Sequence, residues 1–286
     1  METGRASKTA LRVAMRRAAH QMIDRPLVFD DPIAVKLLSP LLSIPGHNYD
    51  IKRARHPVSK AFRSFLVARS RYAEEQLALS LATDVRQYVI LGAGLDTFAY
   101  RNQTRDLLIY EVDLPATQIW KRSLLADAGI HEPSNLTFVP LDLEKNNLAT
   151  ALEKAGFNFA SAAFVSWMGV TSYLTLNGFR KTLETLGALH MGCALSFDFS
   201  QPRHVLGKVG QTALDRTAQR LAAAGERMQL YFTTSSLENE LHRAGFDRWE
   251  LLGTDDLNAR YFADRTDGLR LVEGSPQLAT AWCPPK

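Results

Sequence analysis

The stretch Tyr88-Val89-Ile90-Leu91-Gly92-Ala93-Gly94-Leu95-Asp96-Thr97 constrains the fold more than any other part of this chain. Four apolar, mainly β-type residues read as a short buried strand, and two glycines then break it. A strand running into Gly-x-Gly makes a tight turn with little side-chain bulk. A ligand can approach its backbone, and exposed N–H groups can bind that ligand. A dinucleotide site calls for a third glycine, which lets the helix pack closely and turn its N-terminus toward a pyrophosphate. Here that position holds Thr97, preceded by Asp96. The loop therefore suits a nucleoside without a pyrophosphate better than NAD, and S-adenosylmethionine is the candidate.

The segments around this turn alternate in type. Thr9 to Met22 carries Leu11, Met15, Ala18 and Met22 at helical spacing. Asp30-Asp31-Pro32 stops one element and starts the next, and Pro40, Pro45, Gly46 and Pro57 mark an irregular stretch. A helix follows over about Ser59 to Ala82, and strand candidates come at Leu107–Val112, Leu136–Pro140, Ala162–Trp167 and Cys193–Phe199 with helix-like segments between them. Asn177 to His190 and Ser235 to Ala244 read as helices, and Trp249–Leu252 and Gln277–Trp282 as late strands. Gln201 to Gln229 is polar and helix-prone, a cap over the strand ends. This rhythm predicts an α/β fold with a Rossmann-like, mostly parallel sheet, a helical N-terminal region and a helical cap. One domain over 1–286 is expected: helical region 1–82, cofactor-binding core 83–200, cap 201–232, and the rest of the sheet in 233–286.

Ligands of parallel sheets bind outside the carboxyl ends of the strands. The second strand ends in Tyr110-Glu111-Val112-Asp113, and Glu111 lies about 20 residues after Gly92, where an acid can accept from two ribose hydroxyls. Asp142 and Leu143 follow the third strand. The carboxylate could accept from an adenine amino group with an apolar side chain against the ring, or act as a helix N-cap. The fourth strand ends in Ser166-Trp167-Met168-Gly169-Val170-Thr171-Ser172-Tyr173, placing Trp167 and Tyr173 where the reacting end of a ligand would sit. On the long helix, Phe62, Phe65, Leu66, Tyr72 and Ala73 form a stripe with Arg69 inside it. That guanidinium needs an anion, either a ligand or a buried carboxylate. Arg71 lies on another face, beside Glu74 and Glu75, where local ion pairs account for it. His204, in Ser200-Gln201-Pro202-Arg203-His204 after the fifth strand, is the histidine placed to reach a cleft; His190 reads as structural.

Composition excludes several classes. With 46% hydrophobic and 22% charged residues the chain is globular rather than disordered. The net charge of +4 is mild, and its N-terminal excess (Arg12, Arg16, Arg17, Lys52, Arg53, Arg55, Arg63 among others) reads as a solvated surface. No nucleic-acid partner is expected. Cys193 and Cys283 lack metal-ligand spacing and read as reduced thiols, Gly-x-Ser-x-Gly is absent, and the seven histidines are scattered. No metal is expected. Without an apolar signal core or a membrane-length run, a soluble cytoplasmic protein with no membrane partner is expected.

These residues together resemble the bacterial branch of the leucine carboxyl methyltransferase-like group, class I S-adenosylmethionine-dependent O-methyltransferases. The resemblance spans nearly the whole chain and rests on Thr9-Ala10-Leu11, Phe29-Asp30-Asp31-Pro32, Arg69-Ser70-Arg71-Tyr72, Val89 to Thr97, Glu111-Val112-Asp113-Leu114-Pro115, Trp167 to Leu174 and Asn258-Ala259-Arg260-Tyr261-Phe262. It implies that Arg69 or Arg71 meets the methionine carboxylate. Gly92 and Gly94, with Asp96 beside them, would lie at the amino-acid part, Glu111 or Asp113 near the ribose, Asp142-Leu143 at the adenine, and Tyr173 on the methyl-acceptor side. Met168 stands where eukaryotic protein-carboxyl members carry a glutamate, so a protein C-terminus does not carry over as substrate. A small-molecule acceptor is expected instead. Arg203 or Arg260 could hold an acceptor carboxylate, and His204 could serve as base for a hydroxyl. An NAD-type oxidoreductase and a non-catalytic cofactor-binding protein are the alternatives.

Overall fold

The computed structural model describes residues 7–42, 54–189 and 191–285; Pro45, Gly46, Lys52, Arg53 and His190 lie outside the described residues. Among the described residues the first helices are α1 (Lys8–Ile23), α2 (Pro32–Leu42) and α3 (Pro57–Leu81). Ser7 caps α1 by accepting from the Ala10 N–H at 3.1 Å. The buried face of α1 is Ala14, Arg17, Ala18, Ala19 and His20, whereas Met22 is exposed. Of the residues at helical spacing, Ala18 is buried and Leu11 and Met15 pack half-buried against the same cluster, and Met22 falls outside it. Small residues win because α1 lies close against α2, with Ala14 and Ala18 packed on Ala34, Leu37 and Leu38. Asp31 caps α2 through the Ala34 N–H at 3.1 Å, and Pro40 falls inside α2 near its carboxyl end rather than beyond it. Pro57 opens α3 at a position where a missing N–H costs nothing.

Seven strands form one sheet: β1 (Gln87–Leu91), β2 (Leu108–Asp113), β3 (Leu136–Pro140), β4 (Ala163–Trp167), β5 (Cys193–Phe199), β6 (Arg248–Leu252) and β7 (Gln277–Cys283). Their order is β3-β2-β1-β4-β5-β7-β6, and every pairing is parallel except the two made by β7. Helices α4 (Pro115–Asp127), α5 (Leu148–Lys154) and α6 (Leu176–Gly187) make the crossovers between parallel strands. After β5 come α7 (Lys208–Ala222) and α8 (Thr234–Arg243), and α9 (Thr254–Tyr261) lies between the last two strands. This is the Rossmann-like, mostly parallel sheet expected from the sequence, with helices leading into it.

β1 is buried along its whole length, as a central parallel strand covered on both faces must be. Val89 and Leu91 pack toward one layer with Val165, Phe179, Leu183 and Leu237, while Tyr88 and Ile90 join Ile109, Phe164 and Leu77 of α3 on the other. Trp167 belongs to the first layer, stacked on Phe179 at 5.3 Å with the rings nearly parallel. Across the reversed part of the sheet, a chain of buried hydroxyls runs Ser196–Thr280 (2.7 Å), Thr280–Tyr72 (2.7 Å) and Tyr72 to Glu250 (3.0 Å), tying α3 to β5, β7 and β6. Cys193 and Cys283 are buried register partners in the β5–β7 ladder. Among the described residues no helix is long and apolar enough to cross a membrane, and no group of three or more His, Cys, Asp or Glu is arranged to hold a metal ion.

Gly187 ends α6 against the turn after α8. A Cβ there would sit 1.8 Å from the Ala244 carbonyl oxygen, a backbone atom that cannot rotate away. Gly187→Ala is therefore expected to force the two helices apart and cost about 1–3 kcal/mol, read as a lower midpoint in chemical denaturation.

Candidate active site

The carboxyl ends of β1, β2, β3 and β4 open into one cavity of about 630 Å³. Its floor is the bend after β1. Gly92 (φ +67°) and Gly94 (φ +50°) occupy the left-handed region that favours glycine. A Cβ on Gly92 would lie 2.2 Å from Val170 Cγ2, and one on Gly94 3.2 Å from Ala10 Cβ of α1. The bend is stitched to β2. The Gly92 and Ala93 N–H groups donate to the Val112 carbonyl at 2.7 and 3.1 Å, and the Gly94 N–H donates to Asp113 Oδ2 at 2.5 Å. Asp113 Oδ1 accepts from the Leu114 N–H at 2.6 Å. Burial pushes its carboxyl above the ordinary value, against the lowering effect of these N–H bonds.

Arg69 of α3 lines the cavity with its guanidinium 11% exposed. Nη1 donates to Asp198 Oδ2 of β5 at 3.0 Å, and the other oxygen of Asp198 accepts from the Gly169 N–H at 2.5 Å. The sequence left a ligand and a buried carboxylate open for Arg69. The structure shows the carboxylate pair and also brings the side chain to the cleft. Gly169 (φ +75°) makes room, because a Cβ there would fall 2.7 Å from both Nη atoms. Asp96 caps the short turn after the bend through the Phe98 N–H at 2.8 Å and lies 3.8 Å from Arg17. At the other end, Leu141, Asp142 and Leu143 line the cavity after β3, with Asp142 holding the Glu144 N–H at 3.0 Å and Lys145 at 3.3 Å. Met168 and Tyr173 line it after β4.

Several expected residues do not reach it. Glu111 points away, 1% exposed, and its Oε2 lies 2.6 Å from Lys121 Nζ of α4, which is equally buried. Asp113, two residues on and on the same face of β2, lies at the strand tip and lines the cavity, whereas Glu111 sits one step back under Lys121 of α4. Arg71 is 44% exposed, paired with Glu75 at 2.7 Å. Trp167 is core. Arg203 is 60% exposed on Asp215 of α7 at 3.2 Å, and it and His204 sit on a one-turn helix outside the cavity lining. The loop after β5 leads away toward α7, so neither meets the cleft. Arg260 lies on Glu75 and the Tyr72 and Tyr261 rings, also away from it.

Other lining residues were not anticipated. Arg17 of α1 is buried beside the bend, donating to the Leu95 carbonyl and paired with Asp31 at 3.3 Å. Glu226 and Gln229, after α7, close the cavity from above Tyr173, where the Gln229 side chain donates to the Tyr173 carbonyl at 2.6 Å. Glu226 accepts from Ser7 Oγ at 3.0 Å. The signal for Arg17 was a charged residue on the inner face of a helix, the same one that singled out Arg69. For Glu226 there was none, since it lies in a polar stretch with no period.

The model of the leucine carboxyl methyltransferase family matches residues 10–187, which include the bend, the tips of β2 to β4 and α3. A Bacillus subtilis (strain 168) protein, YktD, assigned as an S-adenosyl-L-methionine-dependent methyltransferase, is 32% identical over 96% of this chain and 97% of its own. The chain belongs to the leucine carboxyl methyltransferase family. A Mycolicibacterium vanbaalenii protein with the same assignment is 31% identical over 63% of each chain. Among solved structures, a DUF574 family protein from Streptomyces avermitilis superposes with a TM-score of 0.58 over 98% of both chains. A candidate methyltransferase from Thermobifida fusca gives 0.56 over 99% of this chain and 97% of its own. Both are 14% identical and share the fold.

The buried Glu111–Lys121 pair beneath the cleft has a measurable signature. Desolvation raises the Glu111 carboxyl from 4.5 to about 7, with Lys121 opposing the rise. Between those two pH values the native state holds more protons on Glu111 than the unfolded state does. Its contribution is thus present at low pH and lost as pH rises through about 7. Glu111→Gln, which fixes the uncharged form, is expected to remove up to about 3 kcal/mol of decline between pH 4.5 and 7 in urea titrations.

Proposed function

We propose that this chain transfers a methyl group from S-adenosylmethionine to an oxygen of a small molecule, a carboxylate or a hydroxyl, by in-line displacement. The observation that supports it is the distribution of charge along the cavity. A cation, Arg69, stands at one end, a glycine bend without side-chain bulk in the middle, and Asp113, then Asp142 between two leucines, at the other. This donor and acceptor set fits an amino-acid head, a ribose diol and an adenine in order, within a cavity large enough for a ligand of that size.

In this reading Arg69 meets the methionine carboxylate, sharing its donors with Asp198. Gly92 and Gly94 let the backbone approach the amino-acid part, with Asp96 and Arg17 beside them. Asp113 rather than Glu111 accepts from the ribose, and Asp142 and Leu143 receive the adenine. Met168 offers a thioether wall where a carboxylate stands in eukaryotic protein-carboxyl members, so the ligand's ribose side relies on Asp113. S-adenosylmethionine supplies an electrophilic methyl on a sulfonium. The protein's task is alignment and exclusion of water, which Tyr173, Gln229 and the segment after α7 perform as a single roofed unit of the domain.

S-Adenosylhomocysteine is expected to raise the melting temperature while NAD does not; at 100 times its dissociation constant the ligand contributes about 2.7 kcal/mol. Arg69→Ala is expected to weaken S-adenosylhomocysteine by roughly 10- to 100-fold, the worth of a hydrogen bond to a charged group. Arg71→Ala should stay within about twofold, because it removes an exposed ion pair. Stabilisation by NAD alone, or equal losses at both arginines in calorimetric titration, would sink this reading.

A further inference from the structure

On the side of the cavity closed by the segment after α7, the buried polar groups are an acceptor, Glu226, and a donor, Tyr173. Glu226 is 6% exposed and lines the cavity. Its Oε1 accepts from Ser7 Oγ at 3.0 Å, while Oε2 has no hydrogen-bond partner and no lysine or arginine pairs with it among the described residues. The Tyr173 hydroxyl also has no partner among them, and the two groups are close enough for Glu226 to act electrostatically on Tyr173. Burial, reinforced by Glu226, pushes the Tyr173 phenol above its ordinary value, so at neutral pH it stays protonated and donates. Both positions are held. The Gln229 N–H donates to the Ser172 carbonyl at 2.8 Å, and the Gln229 side chain to the Tyr173 carbonyl at 2.6 Å.

Three cations of the cavity are committed elsewhere. Arg17 faces Asp31 and Asp96, Arg69 holds Asp198, and Lys145 holds Asp142. Arg227, the neighbour of Glu226, also lines the cavity but is exposed, where solvent screens its charge. An acceptor carboxylate seated beside Tyr173 would meet the buried Glu226 carboxylate, and like charges in a desolvated site repel strongly. A neutral hydroxyl meets none of this. It can donate to Glu226 Oε2 and accept from the Tyr173 hydroxyl at once, satisfying both open groups.

We infer that Glu226 and Tyr173 form the acceptor subsite and select a hydroxyl-bearing acceptor, a phenol or enol, over a carboxylate, with Glu226 taking the hydroxyl proton. This rests on the methyltransferase reading above. The acceptor oxygen forms its bond to the methyl carbon as the carbon–sulfur bond breaks. The electron pair of that bond stays on sulfur, and the proton passes to Glu226 and then to water.

The test uses the full chain with S-adenosylmethionine carrying a labelled methyl group and a panel of matched phenols and aromatic carboxylates. Methyl ethers survive alkali and methyl esters release labelled methanol, so product chemistry reports the acceptor atom. The expected result is alkali-stable label on phenols. Glu226→Gln should lower kcat roughly 100-fold, the scale of a positioned proton acceptor, with the KM for S-adenosylmethionine unchanged. Glu226→Asp should recover part of the loss. Binding of the same panel to the S-adenosylhomocysteine complex gives a readout independent of turnover. The wild-type protein is expected to prefer phenols, and Glu226→Gln to lose that preference because the repelling charge is gone. Labelled methanol, a wild-type preference for carboxylates, or a Glu226→Gln variant equal to wild type would overturn the inference while S-adenosylhomocysteine still binds. A wild-type protein that does not bind S-adenosylhomocysteine would instead remove the methyltransferase reading beneath it.

Discussion

Close approach of backbone at the tips of the parallel strands is the constraint from which the other arrangements follow. At Gly92 a methyl group would be driven into Val170, at Gly94 into Ala10, and at Gly169 into the guanidinium of Arg69. All three glycines also hold positive φ values, so both the space and the backbone conformation favour the absence of a side chain. The result brings α1, the turn after β4 and α3 to within contact of the same bend. Val112 and Asp113 of β2 fix that bend through three N–H donors, from Gly92, Ala93 and Gly94, while the Leu114 N–H holds the other Asp113 oxygen.

Around this point the charged residues divide into two groups. Arg63 with Asp24 and His20, Lys121 with Glu111, and Arg101 with Glu74 pin helices onto the sheet or onto each other. Asp24 is held down to about 2, where its bonds to His20 and Arg63 outweigh the effect of burial. Removing one partner of such a pair leaves a buried charge, at about 3–5 kcal/mol. Arg69 and Arg17 are different, because each is both paired and at the cavity surface. Asp198 holds Arg69 in place without enclosing it, so donors are preorganised for an anion before one arrives.

The sheet was legible in the sequence because its strands are short apolar runs ended by glycine, proline or acid. Leu136–Pro140 and Cys193–Phe199 coincide with the observed strands. The cavity lining was legible where the fold itself dictates position: Gly92, Gly94, Asp113, Asp142 and Tyr173 all follow strand ends. Glu111 and Asp113 could not be told apart, since both are acids at one tip and only the packing of Lys121 decides which turns inward. His204 and Arg203 failed for a related reason. Proximity to a strand end in sequence does not say which way the following loop runs, and here it runs toward α7. On α1 the spacing caught Leu11, Met15 and Ala18 of the inner face but not Ala14, because it favours large residues where close helix packing favours small ones. Glu226 became visible only in three dimensions, 219 positions from the Ser7 hydroxyl that it accepts from.

The groups proposed for the common donor stand on the regular frame, at glycines and acids whose replacement would disturb the sheet. Those proposed for the variable partner, Tyr173, Glu226 and Gln229, stand on a turn and on the chain beyond α7, joined to the frame by a few hydrogen bonds. Divergence can therefore rewrite what such a protein modifies without touching what it inherits. Relatives near 30% identity are then free to share a reagent and differ in clientele.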